Sequence, residues 1–477
     1  MAPTAVTRRA RRLPVELLAQ LALVGATIGL VAVGGGSVLN LAFTPLALGV
    51  GIFLFIRTPT RDYVSFCLWL WMLAPLVRRL ADWQSGFHVI SPIIVAPLLV
   101  TLLSFLRASR QSFWRCVPFN VIMIVCIYGL FLGVLNGETF AAVFAALNWL
   151  APLGFACLIL SFPATANISQ IVFRTLVRGG LVIGAYGVWQ YFAPPPWDAY
   201  WMISADMRSI GLPLPQQIRV FSTMNSPGPY ALMLSAALLA MFASGGRLRW
   251  LAAPPALAGF VLSLVRSSWG GFVLGLGVLV LFGRGKSRFR YIAIGATVAL
   301  FALPLLMYEP IATPFLNRVA TISSIENDGS YNARLAFSSR VLENISSLVI
   351  GSGLGATGLA ARLTGEGGSG AAVVFDNGIL DLFFTFGLPA IAILVALAVA
   401  TLSTLAATRI NDDARLATAI ALGTLAQQVF SNILAGSAGM LVFPFIALAL
   451  VQLSTVPRAG SSRAVPVSRF GIAGNGG

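Results

Sequence analysis

Apolar runs recur along almost the whole chain, near residues 15–33, 39–56, 63–77, 88–106, 117–135, 139–160, 168–192, 226–243, 248–265, 267–282, 289–307, 376–406, 414–433 and 438–454, each closed by charge, proline or glycine. A helix needs about 20 apolar residues to cross the roughly 30 Å hydrocarbon core of a bilayer. Inside lipid every backbone N–H and C=O must be satisfied within the protein, so runs of this kind are helices. The chain therefore reads as an all-α polytopic membrane protein of about 14 transmembrane helices, in a range of about 12 to 14, because 248–282 looks like a broken pair and 376–406 opens with polar residues. Composition agrees: 58% of the 477 residues are apolar and 10% charged, against about 25% charged in a soluble domain. An ordinary soluble enzyme, a collagen, a coiled coil and a disordered chain are excluded.

Charge sets the orientation. With the N-terminus inside and an even number of spans, inner segments hold 22 of the 31 basic and 4 of the 15 acidic residues, a net charge of +18 against −2 outside. Arginine and lysine collect on the cytoplasmic side, so both termini are cytoplasmic. Scattered over short loops and tails, these charges orient the protein rather than recruit nucleic acid. Arg8-Arg9-Ala10-Arg11-Arg12 precedes an apolar stretch too long for a signal-peptide core. It flanks an uncleaved first helix rather than forming a twin-arginine signal.

The chain divides into a basic cytoplasmic N-terminus (1–14), N-terminal transmembrane helices (15–192) and central transmembrane helices (193–307) that begin with a periplasmic loop at 193–225. A large periplasmic loop (308–375), C-terminal transmembrane helices (376–455) and a disordered cytoplasmic tail (456–477) follow. Connections longer than about 12–15 residues are usually functional or disordered, which draws attention to the two outer loops. Within the larger one, Leu335, Leu342, Ile345 and Val349 recur at helical spacing, as in a short amphipathic helix on the outer membrane surface.

Cys67, Cys116, Cys126 and Cys157 lie in or beside apolar runs, and His88 is the lone histidine, with no partner placed beside it by the sequence. Neither a disulfide framework nor a structural metal site is implied. Gly353, Gly355 and Gly358 satisfy G-x-G-x-x-G, but no strand precedes them and the loop faces away from cytoplasmic nucleotide. These glycines suit sharp turns or close backbone approach instead.

Two arginines stand out on the outer side. Arg219 opens Arg219-Val-Phe221-Ser-Thr-Met-Asn225-Ser-Pro227, which leads straight into a helix. A guanidinium there can grip a phosphate bidentately, aided by the helix N-terminus, or simply snorkel to the interface. Arg266 sits between two apolar runs with almost no loop, where a charge is costly and usually faces a water-filled cavity. Asp376 and Asp381 begin a helix five residues apart and lie on different faces, so one can serve as a base and the other as a structural cap. Trp197, Tyr200, Trp201, Phe221, Tyr230 and Trp269 suit either sugar stacking or an interfacial aromatic belt.

Five motifs come in a fixed order: Arg219 with Phe221 and Asn225-x-Pro227, Arg266-Ser267, Arg334-Leu335, Gly351-x-Gly353-x-Gly355, and Asp376-Asn377 ahead of Gly387-Leu388-Pro389. This order, spanning about residues 170 to 455, resembles the O-antigen ligase and polysaccharide polymerase superfamily. The resemblance implies an inner-membrane glycosyltransferase with a periplasmic active site. Donor and acceptor would be undecaprenyl-diphosphate-linked oligosaccharides, with no metal or other cofactor. A chain-length regulator and polysaccharide export proteins are the expected further partners, besides membrane lipid.

Transfer from a lipid diphosphate needs cations to stabilise the leaving group, for which Arg219, Arg266 and Arg334 are the candidates. Asp376 is the candidate base, with Glu343 in reserve. Tyr331, Arg340, Glu343, Asn225 and Asn377 are the expected substrate-binding residues. Ligases resembling this chain have His-Asn where it has Asp376-Asn377, which favours repeat-unit polymerase over ligase. A flippase is the third reading, disfavoured because the motifs crowd into one half of the chain.

Overall fold

The computed structural model describes residues 15–57, 61–107, 117–163, 166–205, 210–243, 245–293, 295–296, 349–358 and 377–453. Helices α1 (Val15–Ala32), α2 (Gly36–Arg57) and α3 (Arg61–Ser85) are followed by α4 (Ala96–Leu102), which has 3-10 turns on both flanks. Next come α5 (Val117–Leu135), α6 (Thr139–Ser161), α7 (Ile168–Phe192), the short α8 (Pro196–Ser204), α9 (Pro227–Ala243), α10 (Leu248–Leu262) and α11 (Arg266–Phe282). The C-terminal part holds α12 (Gly378–Phe386), α13 (Ala390–Ala407), α14 (Asp412–Leu425) and α15 (Gly436–Leu453). Among the described residues, extended pairing is limited to one isolated bridge, Gly211 to Ile218.

Eight of these helices are long and apolar enough to cross a membrane, and four shorter apolar helical stretches, Pro92–Arg107, Pro227–Ala243, Leu248–Leu262 and Arg266–Phe282, lie among them. The all-helical, polytopic character expected from the sequence is therefore present. Several expected spans have different bounds: the run at 88–106 starts at Pro92 as a 3-10, α and 3-10 stretch, and the run at 414–433 leaves the α-helix at Leu425. The run at 63–77 continues to Ser85, carrying Arg78, Arg79 and Asp82 inside the protein. The run at 376–406 is broken at Gly387, whose φ of +65° and following Leu388-Pro389 turn the chain between α12 and α13. Most of the large loop, including nearly all of the expected 332–349 helix, lies outside the described residues, as do both terminal segments.

Helices approach closely where side chains are small. Gly271 and Gly275 of α11, a small-xxx-small pair, face α14, and a Cβ on Gly271 would stand 2.2 Å from the Gly423 carbonyl oxygen. Backbones can touch in this way only without side chains between them. The bundle has two ends of different character. One carries Arg57, Arg61, Arg107, Arg247, Arg249, Arg284, Lys286, Arg288, Arg290 and Arg409. It is tied by Arg290 to the Ala243 carbonyl and by Gln170 to Asp413. At the other end the turns 86–91, 193–226, 263–265, 351–358 and 430–435 converge.

Candidate active site

The Arg219–Asn225 segment is fixed by a buried polar scaffold. Arg79 of α3 pairs with Asp198 of α8 at 2.6 Å, with both side chains fully buried. Its guanidinium also donates to the Ser222 carbonyl and lies 4.8 Å above the Phe221 ring. Gln190 Oε1 accepts from the Phe221 and Ser222 amides at 3.0 and 2.8 Å. Ser222 Oγ donates to the Ile183 carbonyl, and Thr223 Oγ1 donates to the Met72 carbonyl at 2.7 Å, one turn before Pro75 inside α3. Burial pushes the Asp198 carboxyl above the usual carboxylate range, and Arg79, Gln190 and Tyr186 pull it back.

This scaffold sets Arg219 against the start of α11. Arg219 Nη2 donates to the Leu264 carbonyl at 3.3 Å, and Val220 N donates to Leu262 at 3.2 Å. Arg266, half-buried, is the first residue of α11. The corner is strained: Ser222 and Leu264 have φ of +52° and +54°, a conformation that costs a non-glycine residue about 1–3 kcal/mol. Two helix N-termini, of α9 and α11, open here, and unpaired N–H groups at such ends favour an anion.

Beside the corner lies a cavity of about 520 Å³, within the range of small-molecule sites, roughly 300–1,000 Å³. Its lining mixes aromatic rings (Trp71, Phe144, Trp149) with carboxamides (Asn148, Asn225, Gln427, Asn432). Asp381 is the one acid among the described lining residues. It lies one turn before Thr385 on the cavity face of α12, with 7% of its surface exposed. Asn432 Nδ2 donates to Asp381 Oδ2 at 2.7 Å. The amide is oriented for this because Asn432 Oδ1 accepts from Leu434 N at 3.1 Å. Thr357 is a second hydrogen-bond donor to the carboxylate.

The glycine loop forms one wall. Leu354 N donates to the Gly129 carbonyl and Asn136 Nδ2 to the Ser352 carbonyl. Gly353, at φ +83°, presses against α5 so tightly that a Cβ would lie 2.3 Å from Gly133 N. The backbone is thereby held where Leu354, Gly355, Thr357 and Gly358 line the cavity. Gly353 and Gly355 permit this close backbone approach, whereas Gly358 faces open space.

Residues 251–395 match a family model described as O-antigen ligase. The matched segment, less than a third of the chain, is similar to the O-antigen ligase family. No curated protein gives a match. The O-antigen ligase segment runs from α10 into α13 and contains Arg266, the glycine loop, Asp376 and Asp381. Much of the cavity comes from outside it, including Trp71, Asn148, Asn225 and Asn432.

Of the residues singled out in the sequence, Arg219 and Arg266 share the corner, though neither side chain lines the cavity; their neighbours Val265, Ser267 and Ser226 do. Asn225 lines it directly, and no hydrogen-bond partner reaches its buried Oδ1 among the described residues. Asn377 caps α12, accepting from Ile379 N and Leu380 N at 3.0 and 3.2 Å. Tyr331, Arg334, Arg340, Glu343 and Asp376 lie outside the described residues. Phe221 and Tyr230 are buried in the framework, Trp197 donates to Tyr186 and Trp201 stacks under Arg78; none of the six outer aromatics lines the cavity. His88 does have a partner, Asp82 Oδ1 at 3.3 Å, which also belongs to a pair with Arg78. The sequence reading did not single out Trp71, Phe144, Asn148 and Trp149, cavity-lining residues that sit in the first half without a local motif.

Proposed function

We propose that the chain is a glycosyltransferase of the bacterial inner membrane, acting at its periplasmic face on glycans carried by undecaprenyl diphosphate. The observation that carries this is the junction of a cationic corner, Arg219 with Arg266, and a cavity lined by carboxamides, a carboxylate and aromatic rings. Sugars are bound by such mixtures of planar hydrogen-bonding groups and apolar faces. The basic end of the bundle faces the cytoplasm under the positive-inside rule, which turns the cavity outward. Developing charge on a departing diphosphate would be stabilised by the two guanidiniums and the N-termini of α9 and α11, with Arg334 as a third cation and Tyr331, Arg340 and Glu343 contributing from the outer loop. The arginines supply what a divalent ion supplies elsewhere.

The family description favours ligase, transfer of a glycan onto a separate acceptor. Asp376 in place of histidine favours polymerase, in which the acceptor is another carrier-linked glycan. The deciding experiment uses the purified chain in liposomes with an undecaprenyl-diphosphate oligosaccharide, with and without a glycolipid acceptor. A ladder formed from the donor alone marks a polymerase, and product formed only on the glycolipid marks a ligase. No transfer to either acceptor overturns the proposal. Arg219→Ala and Arg266→Ala should each lower transfer by about 10²–10³-fold, the usual cost of removing one group that stabilises transition-state charge.

A further inference from the structure

We infer that Asp381 is the base that deprotonates the acceptor hydroxyl, held in position by Asn432. The inference rests on the glycosyl-transfer reading above and adds to it the residue that receives the proton. Three features of the geometry support it. Asp381 is the single acid among the described residues lining the cavity. The ion pairs among the described residues take up Asp82, Asp198 and Asp412, and none includes Asp381. A carboxylate neutralised by arginine is a poor base, whereas one held only by neutral donors keeps its affinity for a proton. Its orientation is also fixed on both sides. Gly378 lies so close to the Gln428–Ser431 backbone that a Cβ would stand 2.4 Å from the Ser431 carbonyl oxygen, which clamps α12. The Asn432 amide is locked by Leu434 N so that its NH₂ faces Asp381.

The step balances without any further reactant. The acceptor oxygen bonds to the anomeric carbon, and the bond from that carbon to the diphosphate oxygen breaks with its electron pair moving to the diphosphate. The hydroxyl proton passes to an Asp381 carboxylate oxygen. Asn432 is a positioning residue: its donation to Oδ2 fixes the carboxylate plane. The surrounding carboxamides of Asn148, Asn225 and Gln427 offer hydrogen bonds to the other hydroxyls of the acceptor sugar.

The test compares wild type, Asp381→Asn, Asp381→Ala, Asp376→Asn and Asn432→Ala in the liposome transfer assay, with binding of the carrier-linked donor measured separately. Asp381→Asn should bind donor like wild type and lose transfer by about 10²–10⁴-fold, the usual contribution of a positioned base. Formate should restore part of the activity of Asp381→Ala. Asn432→Ala should narrow or shift the acid limb of the pH–rate profile, which a merely structural loss would not move. Transfer by Asp381→Asn within threefold of wild type overturns the inference, as does loss in Asp376→Asn alone. Inactive wild type would instead overturn the glycosyl-transfer reading. If the neutral Asp381 variants fail to fold, carbodiimide modification of wild type decides: protection of Asp381 by acceptor glycan, read by mass spectrometry, supports the inference, and modification without loss of transfer overturns it.

Discussion

Breaking the Arg79–Asp198 pair should release the segment that carries Arg219. Both side chains are fully buried and 2.6 Å apart. Removing one partner of such a pair costs about 3–5 kcal/mol, because the remaining charge is left uncompensated in a low-dielectric setting. Arg79→Met and Asp198→Asn should therefore each destabilise by about that amount. The double variant strands no charge. It loses the hydrogen bonds at the Ser222 carbonyl and at Asp198, about 1–1.5 kcal/mol each, so its cost is about 2–3 kcal/mol against a sum of about 6–10 for the singles. The coupling energy is thus at least about 3 kcal/mol. Unfolding of the purified protein in mixed micelles, followed through the double-mutant cycle, measures it. A coupling below about 0.5 kcal/mol, the level of independent sites, refutes the reasoning. A local readout accompanies the global one. Cys67, Cys126 and Cys157 are buried, so with Cys116 replaced by serine a cysteine at Ser226 becomes the reporter. Maleimide labelling there should speed up in Arg79→Met and return towards wild type in the double variant.

Three further outcomes follow from packing. Gly353→Ala puts a Cβ 2.3 Å from Gly133 N at φ +83° and should cost about 2–5 kcal/mol from backbone strain plus overpacking. Gly358→Ala, at φ +67° with open space around it, should lose only the backbone part, about 1 kcal/mol; equal losses in thermal unfolding would show that the wall contact is not the cause. Gly271→Ala drives a Cβ to 2.2 Å from the Gly423 carbonyl oxygen, which should separate α11 from α14, cost about 1–3 kcal/mol and weaken the Ser268–Gln427 hydrogen bond beside the cavity; unchanged melting and transfer would contradict it. Tyr230→Phe removes a buried hydroxyl that has no hydrogen-bond partner among the described residues and should raise stability by about 1 kcal/mol, read as a higher melting temperature.

The transmembrane helices were legible because lipid imposes a simple demand, uninterrupted apolar residues over a fixed length, that leaves its mark on sequence directly. Where that demand is met by pairing instead, the reading stopped short. The run at 63–77 ended at Arg78 because charge normally marks a loop, yet Arg78 and Arg79 continue the helix by pairing with Asp82 and Asp198. Asp198 lies 119 residues beyond Arg79, and no local pattern announces a partner at that separation. The same limit hid the α12–α13 break. Gly387 and Pro389 are visible in the sequence, but a nine-residue helix packed on the Gln428–Ser431 backbone is a tertiary fact.

The cavity shows the same division between local and distant information. Arg219, Arg266 and Asn225 could be singled out because each sits in a short motif that can be read where it stands. The sequence reading named Asp376 as the candidate base, at the position where similar ligases have histidine, and left Asp381 as a base or a structural cap. What the structure adds is the surroundings of Asp381, with Asn432 supplied from 51 residues away and Thr357 from the glycine loop. Trp71, Phe144 and Trp149 enter from helices that otherwise read as generic spans, since an aromatic residue in a transmembrane run is unremarkable until its neighbours are known. Function in this chain is therefore written in two ways. The charges of the Arg219–Arg266 corner are local motifs, tied to turns, whereas the polar and aromatic groups that line the cavity are gathered by packing from both halves of the chain.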